Sequence, residues 1–197
     1  MLAGAYTAQV MKRLRTAAAC AVALALAAIA PRSEGATANR DRRFFSARAG
    51  VGLEAPLGWT LSLHTGYSTV LCLLVHPGGS RISLAVDATT AADAAGLAAE
   101  SRPGLAAQGI EVTGSSPGPR GGVFVDARVP RRGQVLRQLY LVRALDAGAR
   151  QAIVLTLTTT PADVAAASAA LDWTLARLDL VPPVRPDDKR DHPDGGL

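Results

Sequence analysis

The sequence predicts an α+β domain: a mostly antiparallel sheet of about six or seven strands sandwiched by two main helices. Three observations carry that prediction. Short apolar runs are separated by brief turn signals, "PGGS" at 77–80, "RRG" at 131–133 and "DAG" at 146–148, and connections that short join antiparallel neighbours. Two Ala-rich stretches, one after Thr90 and one after Thr160, have the spacing of helices that lie on such a sheet. The chain has 197 residues, 49% of them hydrophobic, which is enough for one domain with its own core.

The elements follow in order. Residues 39–49, "NRDRRFFSARA", are charged and read as a loose lead-in, and the domain proper spans 50–181. Its first strand puts Val51, Leu53 and Ala55 on one side. Pro56 then removes a ladder donor and Gly58 permits a turn, so Trp59, Leu61 and Leu63 begin a second short strand, with Trp59 folded back over the core. "TVLCLLVH" (69–76) is a near-continuous apolar run and suits a strand covered on both faces. "RISLAVDA" (81–88) alternates, with Ile82, Leu84 and Val86 inward, and completes a hairpin.

The first helix has Thr90 as its predicted N-cap and Asp93 at the third helical position. Pro103 and Gly104 kink or divide it, and Gly109 is its C-terminal glycine. Ile110 opens the next strand, and "GSSPGPRGG" (114–122) reads as a flexible loop. Three strands at 123–130, 134–145 and 150–160 form a meander. In the last helix Thr160 is the cap, Pro161 takes the first position, and Asp163 meets the positive end of the helix dipole. Val164, Ala167, Ser168, Leu171, Leu175 and Leu178 share one face. Residues 182–197, "PPVRPDDKRDHPDGGL", have almost no apolar content and read as a disordered tail.

The ends of the chain bear on location. "MKRLR" (11–15) is a basic region, "TAAACAVALALAAIA" (16–30) an apolar one, and Ala36 and Ala38 are small residues at the two cleavage positions. Residues 1–38 therefore have the layout of a secretory signal peptide, with Met1 or Met11 as the start. The apolar run is shorter than the roughly 20 residues of a spanning helix. A periplasmic or secreted protein is expected, with retention in the membrane through an uncleaved N-terminal segment as the alternative. Cys20 precedes most of the apolar run, which is the wrong order for a lipidated cysteine. Beyond residue 38 only Cys72 remains, so no disulfide within the chain is expected, and in its apolar run the thiol reads as a small core residue.

Charge and composition exclude several chemistries. The net charge of +5 drops to +2 once residues 1–38 are set aside, because they hold 4 of the 21 basic residues and 1 of the 16 acidic ones (17 − 15 = +2). The remaining arginines are dispersed, and aromatics are 4% of the chain, whereas a nucleic-acid surface concentrates positive charge and interleaves it with aromatic rings. His64, His76 and His192 lack the spacing of a metal site, and no cofactor is expected. No strained Gly-x-Ser-x-Gly turn marks a nucleophile, and Ser80 belongs to a turn. One residue stands apart: Trp173 falls on the side of the last helix away from its apolar face, and Arg177, four residues on, is placed to lie over the ring. Trp173 and Arg177 are the candidate partner-binding residues.

Several stretches in order carry a family resemblance: "LEAPLGW" (53–59), "RISLAVD" (81–87), "GIEV" (109–112), "GGVFVDARV" (121–129), and "IVLTLTTT" running into a helix that ends "LDWTLARLDL". Together they resemble the PsbP-like α/β/α sandwich, including exported bacterial proteins of the DcrB and LpqN type, over residues 50–181. The resemblance implies binding and assembly roles, mostly without catalysis, and supplies no catalytic constellation to carry over. The expected function is an exported, non-catalytic interaction or assembly module of the bacterial cell envelope. Its expected partner is an unknown envelope protein, with no nucleic acid, and with membrane contact only through an uncleaved N-terminal segment. The alternatives are a carrier of a small apolar or lipid ligand held between sheet and helix, and, last, a hydrolase without a recognisable motif.

Overall fold

A computed structural model of the chain describes residues 42–63, 69–145 and 148–183. The signal segment with Ala36 and Ala38, His64, and most of the tail with His192 lie outside the described residues. The elements are β1 (Arg43–Ser46), β2 (Val51–Glu54), β3 (Thr60–Ser62), β4 (Val70–Val75), β5 (Arg81–Thr89), α1 (Ala94–Ala107), β6 (Glu111–Pro117), β7 (Val123–Val129), β8 (Gln134–Ala144), β9 (Arg150–Thr159), α2 (Val164–Ala176) and β10 (Asp179–Leu180). Seven strands form one antiparallel sheet in the order β3-β4-β5-β9-β8-β7-β6, and three form a second in the order β1-β2-β10. The α+β class is as the sequence predicts.

The large sheet is covered on both faces, which explains why β4 is apolar throughout and why eight of the ten residues of β9 are buried. On one face Leu74, Leu84, Leu139 and Leu155 pack against α2 through Leu171 and Leu175, and against the small sheet through Val51 and Leu53. On the other face Val125, Tyr140 and Val154 pack against Ala94, Leu97 and Ala98 of α1. Pro56 and Gly58 do what their chemistry suggests. Gly58 takes φ +80, the Trp59 N–H donates to the Pro56 carbonyl (3.1 Å), and the chain passes from the small sheet to the large one. Trp59 is buried in the main core.

Five local expectations change. The lead-in is not loose: Arg43–Ser46 pairs with β2, because Phe44 packs on the core while Phe45 lies over Gly52, where a Cβ would not fit. The expected loop at 114–122 is largely strand, since Gly114 to Pro117 pair with β7 after a bulge at Thr113. The α1 N-cap is Asp93, whose carboxylate accepts from the Gly96 N–H (2.8 Å), and not Thr90. Pro103 leaves α1 undivided: buried Leu97, Ser101 and Leu105 hold both sides of it, and the carbonyl it strands belongs to exposed Ala99. Helix α2 begins at Val164, because Thr160 caps a preceding turn by accepting from the Asp163 N–H (3.3 Å) and donating to its carboxylate (2.8 Å).

The small sheet has strands of only two to four residues, too few to be stable alone. It is tied to the large sheet by Arg143 of β8. The guanidinium donates to the carbonyls of Ala49 (2.6 Å), Gly50 (3.1 Å) and Val181 (2.6 Å), and to Gln151 Oε1 (2.5 Å). Gly50 sits at φ +60, and a Cβ there would collide with the Val181 carbonyl. Arg143→Met should therefore lower stability by about 2–3 kcal/mol, since it strands acceptors that a charged donor had satisfied. Gly50→Ala should cost at least about 2 kcal/mol, combining the left-handed penalty with that collision. Urea melts read both; an unchanged midpoint for either would remove the clamp from this account.

Candidate functional site

Trp173 lies on the flank of α2 rather than directly opposite its buried face. That face consists of Ala167, Ala170, Leu171, Thr174 and Leu175, so it is turned from the predicted one; Val164 is 41% exposed and Ser168 half-buried. The shift brings Trp173 to the seam with the small sheet, where it is half-buried. Two guanidiniums flank the ring, Arg177 at 3.8 Å and Arg42 at 5.8 Å from its centroid. Arg42 is itself fixed, donating to the Ala55 carbonyl (3.0 and 2.8 Å) and pairing with Glu54 (3.4 Å). The predicted Trp173–Arg177 contact is present, and Arg42 joins it from a segment that sequence reading had left unstructured. Arg177 stays exposed, and Phe45 is 55% exposed on the outer side of the same small sheet.

A second feature lies at the other end of α2. A cleft of about 220 Å³ opens between Val164 and Ser168 of α2 and strands β7 and β8, with Asp126, Arg128, Val135 and Arg137 on its sheet side. Sequence reading passed over it, although the signal was present. Arg137 alternates with Leu139 and Leu141, so a charged residue occurs on the core-facing side of an apolar strand.

The remaining reactive groups are in structural surroundings. Cys72 is fully buried, and burial pushes its thiol from 9.0 up to about 12. Tyr140 is also raised to about 12, by burial against a smaller opposing effect of its Ser101 hydrogen bond. Its hydroxyl donates to Gln138 Oε1 (2.8 Å), and Gln138 Nε2 donates to Thr156 Oγ1 (3.1 Å). His76 packs against Trp59 with the rings tilted at 45° and their centroids 5.4 Å apart, and its Nδ1 accepts from the Gly78 N–H. Among the described residues, no three His, Cys, Asp or Glu side chains are grouped to hold a metal, and no helix is long and apolar enough to cross a membrane.

No protein-family model and no curated protein matches the chain. The solved structures similar to it include PsbP (CyanoP) from Synechocystis sp. PCC 6803, 15% identical over 76% of this chain and 98% of that one, with a TM-score of 0.49. They also include a protein of unknown function, PA94, from Pseudomonas aeruginosa, 23% identical over 68% of this chain and 92% of that one, TM-score 0.45. A single-residue variant of the protein Mog1 is 12% identical over the same shares, TM-score 0.45.

Two outcomes test these environments. Folding raises the Cys72 and Tyr140 pKa values, so the folded protein holds both protons more tightly than the unfolded chain. That contribution is fully present below about pH 9 and is lost as the pH rises toward about 12. Urea midpoints should therefore fall across this window, and Tyr140→Phe should flatten the decline above about pH 10. At the surface, Arg177→Ala should cost no more than about 1 kcal/mol, as exposed cation–π pairs do, while shifting the Trp173 fluorescence. A loss several times larger would mean that Arg177 supports the core.

Proposed function

We propose that the chain is an exported, non-catalytic interaction module of the bacterial cell envelope, a PsbP-like domain of the DcrB and LpqN type. The observation that carries this reading is the Trp173 indole, held half-exposed between Arg42 and Arg177. Trp and Arg dominate binding hot spots because they offer a large apolar area with a charged rim. A ring already held by two guanidiniums loses little freedom when a partner covers it. Phe45 adds a second outward aromatic on the sheet that supplies the Arg42 contact to Glu54. The N-terminal pattern supports export, with cleavage after Ala38 releasing the domain to the periplasm or the medium. The partner is an envelope protein whose surface offers carboxylates to Arg177 beside an apolar contact for the indole.

The test is recovery of the exported protein from cells, with cross-linking in the envelope. The mature mass should begin at Asn39. One cross-linked protein should be present with the natural sequence and absent with Trp173→Ala and Arg177→Glu, both of which should remain folded. Identical cross-links in all three would show that the indole only covers the fold. Hydrolytic activity abolished by one side-chain change would replace the module with an enzyme.

A further inference from the structure

The cleft beside the first turns of α2 is separate from the Trp173 surface, and it has the chemistry of a ligand site. It exists because the large sheet is wider than its cover: α2 and the small sheet leave the outer part of β7 and β8 open on that face. Strand alternation then decides what lines it. On β8, Val135 and Arg137 continue the row of Leu139 and Leu141; on β7, Asp126 and Arg128 continue the row of Phe124. The result is an apolar floor of Val135, Leu157 and Val164 with two arginines beside it.

Arg137 is the central group. Its guanidinium lies 4.4 Å over the Phe124 ring, which fixes it at the cleft. Asp126 Oδ1 is 3.6 Å from its Nε, close enough for attraction and too far for a hydrogen bond. The Nε is buried and has no hydrogen-bond partner among the described residues. Buried donors in native proteins are almost always paired. Arg128 stands opposite Glu111 in the β6–β7 register, yet the two form no ion pair among the described residues. The lining residues thus carry two arginines against one aspartate, a balance that matches a single negative charge.

We propose that this cleft binds a small monocarboxylate with an apolar stem, such as a short fatty acid. The carboxylate is held by Arg137 and Arg128, and the stem lies on Val135, Leu157 and Val164. At about 220 Å³ the cleft is smaller than the roughly 300–1,000 Å³ of sites that enclose a drug-sized ligand, so it takes the head and the first part of the stem. This goes beyond the interaction module, since it needs neither Trp173 nor a protein partner.

The experiment is titration of the isotope-labelled mature protein with octanoate, octanol and octyl phosphate, read by amide shifts. Octanoate should saturate with shifts centred on residues 135–137 and 164–168, and octanol should bind at least about tenfold more weakly, since it lacks the charged hydrogen bonds. Arg137→Gln and Arg128→Gln should each weaken octanoate binding, while Arg150→Gln and Trp173→Ala should not. If Arg137→Gln fails to fold, Val164→Glu decides the matter. Val164 is already exposed, and a carboxylate there should abolish octanoate binding. Equal affinity for octanoate and octanol, absence of binding, shifts elsewhere, or unaltered binding by Val164→Glu would each overturn the proposal. Tighter binding of octyl phosphate would overturn the choice of a carboxylate.

Discussion

Arg143 is the residue on which the two-sheet arrangement rests. It reaches from the middle of the domain, on β8, to the carbonyls of Ala49, Gly50 and Val181, and so ties both ends of the folded chain to one strand. A guanidinium suits the task because it offers several donors in a rigid fork and keeps its charge even where burial lowers its pKa, as it does here. The acceptors are neutral, so the bond is a cation satisfying backbone dipoles that would otherwise end unpaired at the rim of a small sheet. Gly50 completes the geometry: its carbonyl accepts from both Arg143 and the Val181 N–H, and its lack of a side chain lets that segment approach. Leu53 and Val51 are held over the large sheet as a consequence.

The opposite face is built differently. Helix α1 meets the sheet through Ala94, Leu97, Ala98, Ser101 and Leu105, and the two alanines bring the layers close but contribute little apolar area each. A buried polar chain runs beneath it, from Tyr140 to Gln138 to Thr156, and the Ser101 hydroxyl of the helix donates to the Leu97 carbonyl. Such a chain adds directional constraint where apolar contact alone would allow the helix to slide. Pro103 is tolerated in this helix because the buried side is satisfied and only the solvent side loses a bond.

Both candidate surfaces belong to α2 and lie toward opposite ends of it. Near the C-terminal end, Trp173 joins the helix to the small sheet through Arg42. Near the N-terminal end, Val164 and Ser168 face Arg128 and Arg137 across the cleft. In each case an arginine is pinned against an aromatic ring, Arg177 on Trp173 and Arg137 on Phe124. The pairing orders each guanidinium in the free protein, and a side chain ordered in advance would lower the entropic cost of binding there.

The α+β class, the β4–β5 hairpin, the β7–β8–β9 meander, the helix at the end and the buried places of Trp59 and Cys72 were all legible in the sequence. Each rests on a local signal: alternation by two, periodicity near 3.6, or a turn residue between apolar runs. The Trp173–Arg177 contact was legible for the same reason, since residues four apart on a helix are neighbours. Of the small sheet only its central strand β2 was legible, through Val51 and Leu53. Its other two strands are short, and the pairing depends on bringing residues 43–46, 51–54 and 179–180 together from the two ends of the domain. Nor was the cleft legible, although Arg137 and Arg143 stood in plain alternation with leucines. Alternation assigns a side chain to a face; whether a helix, a small sheet or solvent covers that face is decided by packing between distant segments, which only the tertiary structure contains.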